Sequence, residues 1–132
     1  MKATDLRRYN YLDYYGQSVV VLEILRNDYI VFGYFLDSTL SHFTGSATEK
    51  RKLTEKHSPK PIPLNEEWLL KFGFVRDKLE VRTFYKGDFE IYLPIFLQYK
   101  DLVLNKCKHV HQLQNIYHAL TGKELTIKEL VK

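Results

Sequence analysis

Pro63-Leu64-Asn65-Glu66-Glu67-Trp68-Leu69-Leu70-Lys71-Phe72-Gly73-Phe74 reads as a short helix with both ends written into it. Asn65 can accept from first-turn amides, and Glu66 and Glu67 stand where the helix dipole favours negative charge. Gly73 supplies the left-handed residue after the last turn, and Phe74 can fold back onto that turn. Strand-like runs lie on both sides of this helix, so the fold class expected is α+β.

Downstream, Val81-Arg82-Thr83-Phe84-Tyr85 and Phe89-Glu90-Ile91-Tyr92-Leu93 flank Lys86-Gly87-Asp88, which predicts a β-hairpin with a three-residue turn. The alternation of Phe89, Ile91, Leu93, Ile95 and Leu97 continues to Tyr99, with Pro94 at a bulge or on an edge. Asp101 to Asn105 can return as another strand. A C-terminal helix is expected from about Lys108 to Leu120, with Val110, Leu113, Tyr117 and Leu120 on one face and Thr121-Gly122 ending it. Lys123 to Lys132 reads as a polar tail with a little apolar content.

Upstream, Val19-Val20-Val21-Leu22-Glu23-Ile24-Leu25 and Tyr29-Ile30-Val31-Phe32-Gly33-Tyr34-Phe35 predict a second hairpin joined through Arg26-Asn27-Asp28. Arg8 to Tyr15 adds a third strand that stops at Gly16. These suggest a small antiparallel sheet, curled in the SH3-like manner. Between the two regions, residues 38–48 are rich in Ser, Thr, Gly and Ala, and Pro59, Pro61 and Pro63 forbid helix. The organisation expected is a β-rich N-terminal part (residues 1–36), a basic Ser/Pro-rich connection (37–63) and an α+β C-terminal part (64–132).

The chain has 132 residues, enough for one domain, or for one domain with an appendage. Hydrophobic residues make up 45% and aromatic residues 14%, which supports a packed core and excludes a wholly disordered chain. The single cysteine, Cys107, cannot form an internal disulfide. The opening Met1-Lys2-Ala3-Thr4-Asp5-Leu6-Arg7-Arg8 lacks the apolar core of a signal peptide, and no run spans a bilayer. The location expected is the cytoplasm, with no membrane partner.

Residues that could carry chemistry are few. Cys107 and His111, four apart on a helix, could share a metal, but His118 lies about 10 Å further along the axis. Two ligands do not make a zinc site. Glu66 and Glu67 diverge by about 100° as helix neighbours, and no phosphate-binding or nucleophile-elbow motif occurs. A non-enzymatic protein with no cofactor, metal or catalytic residue is therefore expected. Charge is more informative. Lys50, Arg51, Lys52, Lys56 and Lys60 with Glu55 give 5 − 1 = +4, equal to the net charge of the whole chain. Such a segment can contact phosphates without reading bases, and equally can be a solvated connector. The tyrosines Tyr9, Tyr11, Tyr14 and Tyr15 can stack on bases, anchor a protein contact or pack within strands. Trp68, Leu69, Phe72, Leu113, Tyr117 and Leu120 are expected to be structural.

Two stretches carry a resemblance. Pro61-Ile62-Pro63-Leu64, followed by Glu66-Glu67-Trp68-Leu69-Leu70-Lys71 and Gly73-Phe74, is one. Val110-His111-Gln112-Leu113-Gln114-Asn115, followed by Tyr117 and Ala119-Leu120-Thr121-Gly122-Lys123-Glu124-Leu125, is the other. Together they resemble a family of small proteins encoded in phages and mobile elements of Bacteroidota. The resemblance implies a short β-rich beginning, and a role as an anti-CRISPR inhibitor of the host's type VI-B RNA-guided RNase. The implied partners are that nuclease and its guide RNA in the bacterial cytoplasm. The alternative is a phage nucleic-acid-binding or regulatory accessory module with no nuclease target. A nucleic-acid mimic would need dense negative charge, and a chain at +4 does not supply it.

Overall fold

The computed structural model describes residues 1–35, 43–93, 96–100, 102–103 and 107–127. Nine strands and two α-helices are found among them: β1 (Tyr11–Tyr14), β2 (Gln17–Ile24), β3 (Tyr29–Phe35), β4 (Phe43–Lys52), α1 (Glu66–Lys71), β5 (Val75–Arg76), β6 (Thr83–Lys86), β7 (Phe89–Tyr92), β8 (Phe96–Tyr99), β9 (Leu102–Val103) and α2 (Val110–Thr121). A 3-10 turn, Ala3–Asp5, precedes them. The strands form two antiparallel meanders, β1-β2-β3-β4 and β5-β6-β7-β8-β9, so the α+β class holds.

Tight turns order the first sheet. Tyr14 pairs with Gln17, which leaves Tyr15-Gly16 as a two-residue loop with φ of 53° and 81°. Asn27 and Asp28 both take φ of 62°, and the Tyr29 amide donates to the Arg26 carbonyl. Two successive left-handed residues match the natural twist of a hairpin. β1 and β4 are the edges of this antiparallel meander, and the Glu49 and Arg51 side chains of β4 reach Tyr14 of β1 across one face.

The expected basic connection is in part a strand. Residues 43–52 form β4, with Ile30 opposite Arg51 and Phe32 opposite Glu49. Its polar sequence conceals it because an edge strand needs little burial, and lysines on an edge discourage further pairing. Residue 36 and residues 37–42 of the expected connection lie outside the described residues. Beyond β4 the chain is pinned. Leu53, Ser58 and Ile62 are buried, Ser58 Oγ donates to the Leu53 carbonyl (2.9 Å), and Lys60 makes an isolated bridge with Asp13.

α1 forms as its ends dictate. Asn65 Oδ1 accepts from the Trp68 amide at 3.0 Å. Gly73, at φ 87°, donates to Leu70, and Phe74 donates to Leu69, both at 3.0 Å, which closes the last turn. In the β6–β7 hairpin Lys86 pairs with Phe89, so the loop is the two residues Gly87-Asp88 rather than three. Gly87 alone is left-handed (φ 58°), the arrangement in which glycine takes the first loop position. The single strand suggested by Phe89 to Tyr99 is two, β7 and β8, with Tyr92 opposite Phe96. Pro94, Asp101, Asn105 and residues 128–132 lie outside the described residues.

Two cores result. Leu12, Tyr14, Val19, Val21, Ile30, Phe32 and Leu53 fill the first with Ala3 and Leu6. Trp68, Leu69, Phe72, Phe74, Phe84, Phe89, Ile91, Leu97, Val110, Leu113 and Leu125 fill the second with Ile62 and Cys107. Strand β1 serves both. Leu12 and Tyr14 enter the first, while Tyr11 on the other face meets Trp68 (ring centroids 5.6 Å) and Phe72 (6.0 Å) of the second. A buried amide clasp reinforces this junction. Gln114 Oε1 accepts from the Tyr11 amide and its Nε2 donates to the Tyr9 carbonyl, each at 2.9 Å. Asn10 Nδ2 donates to Asn115 Oδ1 at 2.8 Å.

The expected structural residues are mostly in place. Trp68, Leu69, Phe72 and Leu113 are buried, and Tyr117 packs its ring 5.0 Å from Phe89. Leu120 is 38% exposed, contrary to expectation. The fully enclosed positions of α2 are Val110, His111, Leu113 and Gln114, so its later turns lie less deeply than its first.

Candidate nucleic-acid interface

The five basic residues divide according to the pleat of β4. Lys50 and Lys52 share one face, because side chains two apart on a strand point the same way. Lys52 stands opposite Tyr29, and Lys50 opposite Val31. Their Nζ atoms lie 5.1 Å and 5.8 Å from the centroid of the Tyr29 ring. A tyrosine face attracts a cation by about 0.5–1 kcal/mol at an exposed site. One ring thus has two ammonium groups within reach on the same face of β4, an arrangement suited to an anionic group such as a phosphate.

Arg51 is directed to the opposite face. Its Nε donates to Tyr14 Oη (3.2 Å) and to Glu49 Oε2 (3.1 Å). Glu49 also accepts from Tyr34 Oη (2.5 Å) and from Tyr14 Oη (3.3 Å). The Tyr34 hydrogen bond is the main cause holding the Glu49 carboxyl below its ordinary range, with Arg51 and Tyr14 adding to it against partial desolvation. Desolvation first, then that same bond, raises the Tyr34 hydroxyl. Arg51 is therefore neutralised within a structural cluster. Lys60 is fixed by its backbone, which exchanges hydrogen bonds with Asp13 at 2.7 and 2.8 Å, and its Nζ lies 3.4 Å from Ser58 Oγ. Lys56 is exposed in the turn after β4. The structure thus brings Lys50 and Lys52 together with Tyr29, and does not join Arg51, Lys56 and Lys60 to them. Tyr29 was not singled out in the sequence. Only the pairing of β3 with β4 identifies it, and the polar composition of β4 conceals that strand.

The thiol and imidazoles near α2 are placed differently. Cys107 is buried in the second core, and burial pushes its thiol up to about 12, so it stays protonated at neutral pH. Among the described residues no three His, Cys, Asp or Glu side chains converge as metal ligands. His111 is buried, its Nδ1 has no hydrogen-bond partner, and its ring stacks 5.7 Å from His109. It lines a cleft of about 520 Å³ with Met1, Asp5, Gln112 and Ile116.

Burial, with His109 beside it, pushes His111 down to about 4, and Asp5 opposes that shift. An unfolded imidazole titrates near ~6.5. The folded chain therefore binds fewer protons between these values, so this contribution to stability is complete above 6.5 and is lost as pH falls toward 4. Urea titrations should show a fall of up to about 3 kcal/mol across this window that a His111→Gln variant lacks. Identical pH profiles for the two proteins would show that His111 is not held neutral by the fold.

Comparison with protein-family models, curated proteins and solved structures gives no match. The resemblance therefore rests on its two sequence stretches, which correspond to α1 and α2 with the segments around them.

Proposed function

We propose that this chain is a non-enzymatic binding protein that contacts nucleic-acid phosphates through Lys50 and Lys52. Its role, on this reading, is to inhibit a host type VI-B RNA-guided RNase in the bacterial cytoplasm by engaging the guide RNA and the protein surface around it. The observation that carries the contact is the pair of ammonium groups gathered at the Tyr29 ring on an edge strand. The inhibitor role comes from the family resemblance. A phosphate bound there would meet two cationic groups and release the counterions around it. A second surface suits the protein part of such a contact. Val75 and Tyr85 are paired neighbours, and Val81 and Leu79 are exposed on the chain between them, Leu79 to 91%. Isolated exposed apolar residues are ordinary, whereas a group of them on one hairpin favours a partner.

The bland reading of the lysines is that they keep the edge of β4 from pairing. A transcript-cleavage assay separates the two. The protein should suppress cleavage by the guide-loaded RNase, and Lys50→Ser/Lys52→Ser should lose most of that suppression. Binding of RNA without any effect on cleavage would favour the accessory module instead. Full suppression by the double variant would leave the lysines with only their edge-blocking role.

A further inference from the structure

The β1–β2 hairpin contains a residue that its turn does not favour. Tyr15 occupies the first loop position at φ 53°, a left-handed conformation that bulky side chains rarely adopt. The next hairpin places Asn27 at the equivalent position, a residue suited to it. Burial does not offset the misfit, because Tyr15 is 71% exposed. The ring is nevertheless well supported. It stacks on His57 with centroids 6.0 Å apart and planes inclined by 25°, and the Tyr14 ring meets it at 4.7 Å and 69°. Tyr14 is itself buried against Phe32 at 4.9 Å. An exposed aromatic ring is thus held against two others in a backbone conformation that fits it poorly, and strain of this kind gathers at functional positions.

We infer that Tyr15, backed by His57, is a stacking platform for an unpaired base of single-stranded RNA. The inference rests on the nucleic-acid contact proposed above and specifies its partner. Charge argues for stacking rather than a second phosphate contact here. Arg51, which touches Tyr14, is already paired with Glu49, and Lys60 Nζ lies against Ser58 Oγ. Position argues for continuity with the lysines. Arg51 lies between Lys50 and Lys52 in β4, and its side chain reaches the opposite face to touch Tyr14, the neighbour of Tyr15. A nucleotide chain crossing the edge of β4 would meet lysines on one face and the ring on the other. Bases in a duplex are stacked on each other and cannot use such a ring, whereas any unpaired base can.

Substitution of Tyr15 separates this role from a purely structural one. Tyr15→Asn suits the turn, so its melting temperature should equal or exceed that of the wild type. Its affinity for a uridine dodecamer, read by fluorescence anisotropy, should fall about 5- to 100-fold. Tyr15→Trp should keep the affinity. Neither change should alter binding to an RNA duplex. If Tyr15→Asn binds the dodecamer as tightly as the wild type while Lys50→Ser/Lys52→Ser weakens, the platform is overturned and the phosphate contact stands. If both variants bind as the wild type does, both readings fail. Loss of binding to the nuclease without its guide, with dodecamer affinity unchanged, would make Tyr15 a protein anchor and overturn the inference.

Discussion

Phe72→Ala is expected to lower the free energy of unfolding by about 3–5 kcal/mol. The side chain is fully buried where α1 ends, against Trp68 (5.6 Å) and, across the junction, Tyr11 (6.0 Å). Removing the ring forfeits its transfer from water and leaves a space that neighbours on two different elements cannot collapse to fill. Its carbonyl also accepts from Lys86 Nζ at 2.8 Å, so a shift of the α1 terminus would disturb β6 as well. Urea titration should show a lower midpoint with an unchanged slope. A variant of unchanged stability that only loses a partner would place Phe72 on an interface, against its burial here.

Gln114→Leu should cost roughly 2–6 kcal/mol, since it strands one backbone donor and one backbone acceptor at about 1–3 kcal/mol each. Those groups are the Tyr11 amide and the Tyr9 carbonyl, and Gln114 itself is almost completely enclosed. Leucine has similar bulk and greater apolarity, so packing alone predicts little loss. Equilibrium unfolding therefore distinguishes a hydrogen-bonded clasp from a tolerated polar residue. A change below about 1 kcal/mol would mean that other partners take over both backbone groups.

The sequence revealed local structure wherever a terminator or turn acts within a few residues. Asn65 and Gly73 mark α1 because capping is short-range chemistry, and Asn27-Asp28 marks its hairpin for the same reason. The division of β7 from β8 was hidden by parity. Ile91 and Leu97 face each other an even number of positions apart, so the alternation passes through the reversal unbroken. β4 was hidden by its polar edge composition. The clasp was hidden because Asn10, Gln114 and Asn115 resemble solvated residues until two distant segments meet. The candidate site was legible only as charge. Sequence supplied Lys50 and Lys52, but their separation from Arg51 and their shared ring depend on strand pairing.

The most direct test of the phosphate contact is the salt dependence of RNA binding. Affinity of the wild type for a single-stranded oligonucleotide should fall linearly as log K against log salt, since each neutralised phosphate releases counterions. Lys50→Ser/Lys52→Ser should bind more weakly, with a slope shallower by about 1.4, from roughly 0.7 per lost contact on a single strand. Arg51→Ser should leave the slope unchanged, because Glu49 already balances that charge. Equal affinity and equal slope for the wild type and the lysine variant would contradict the account.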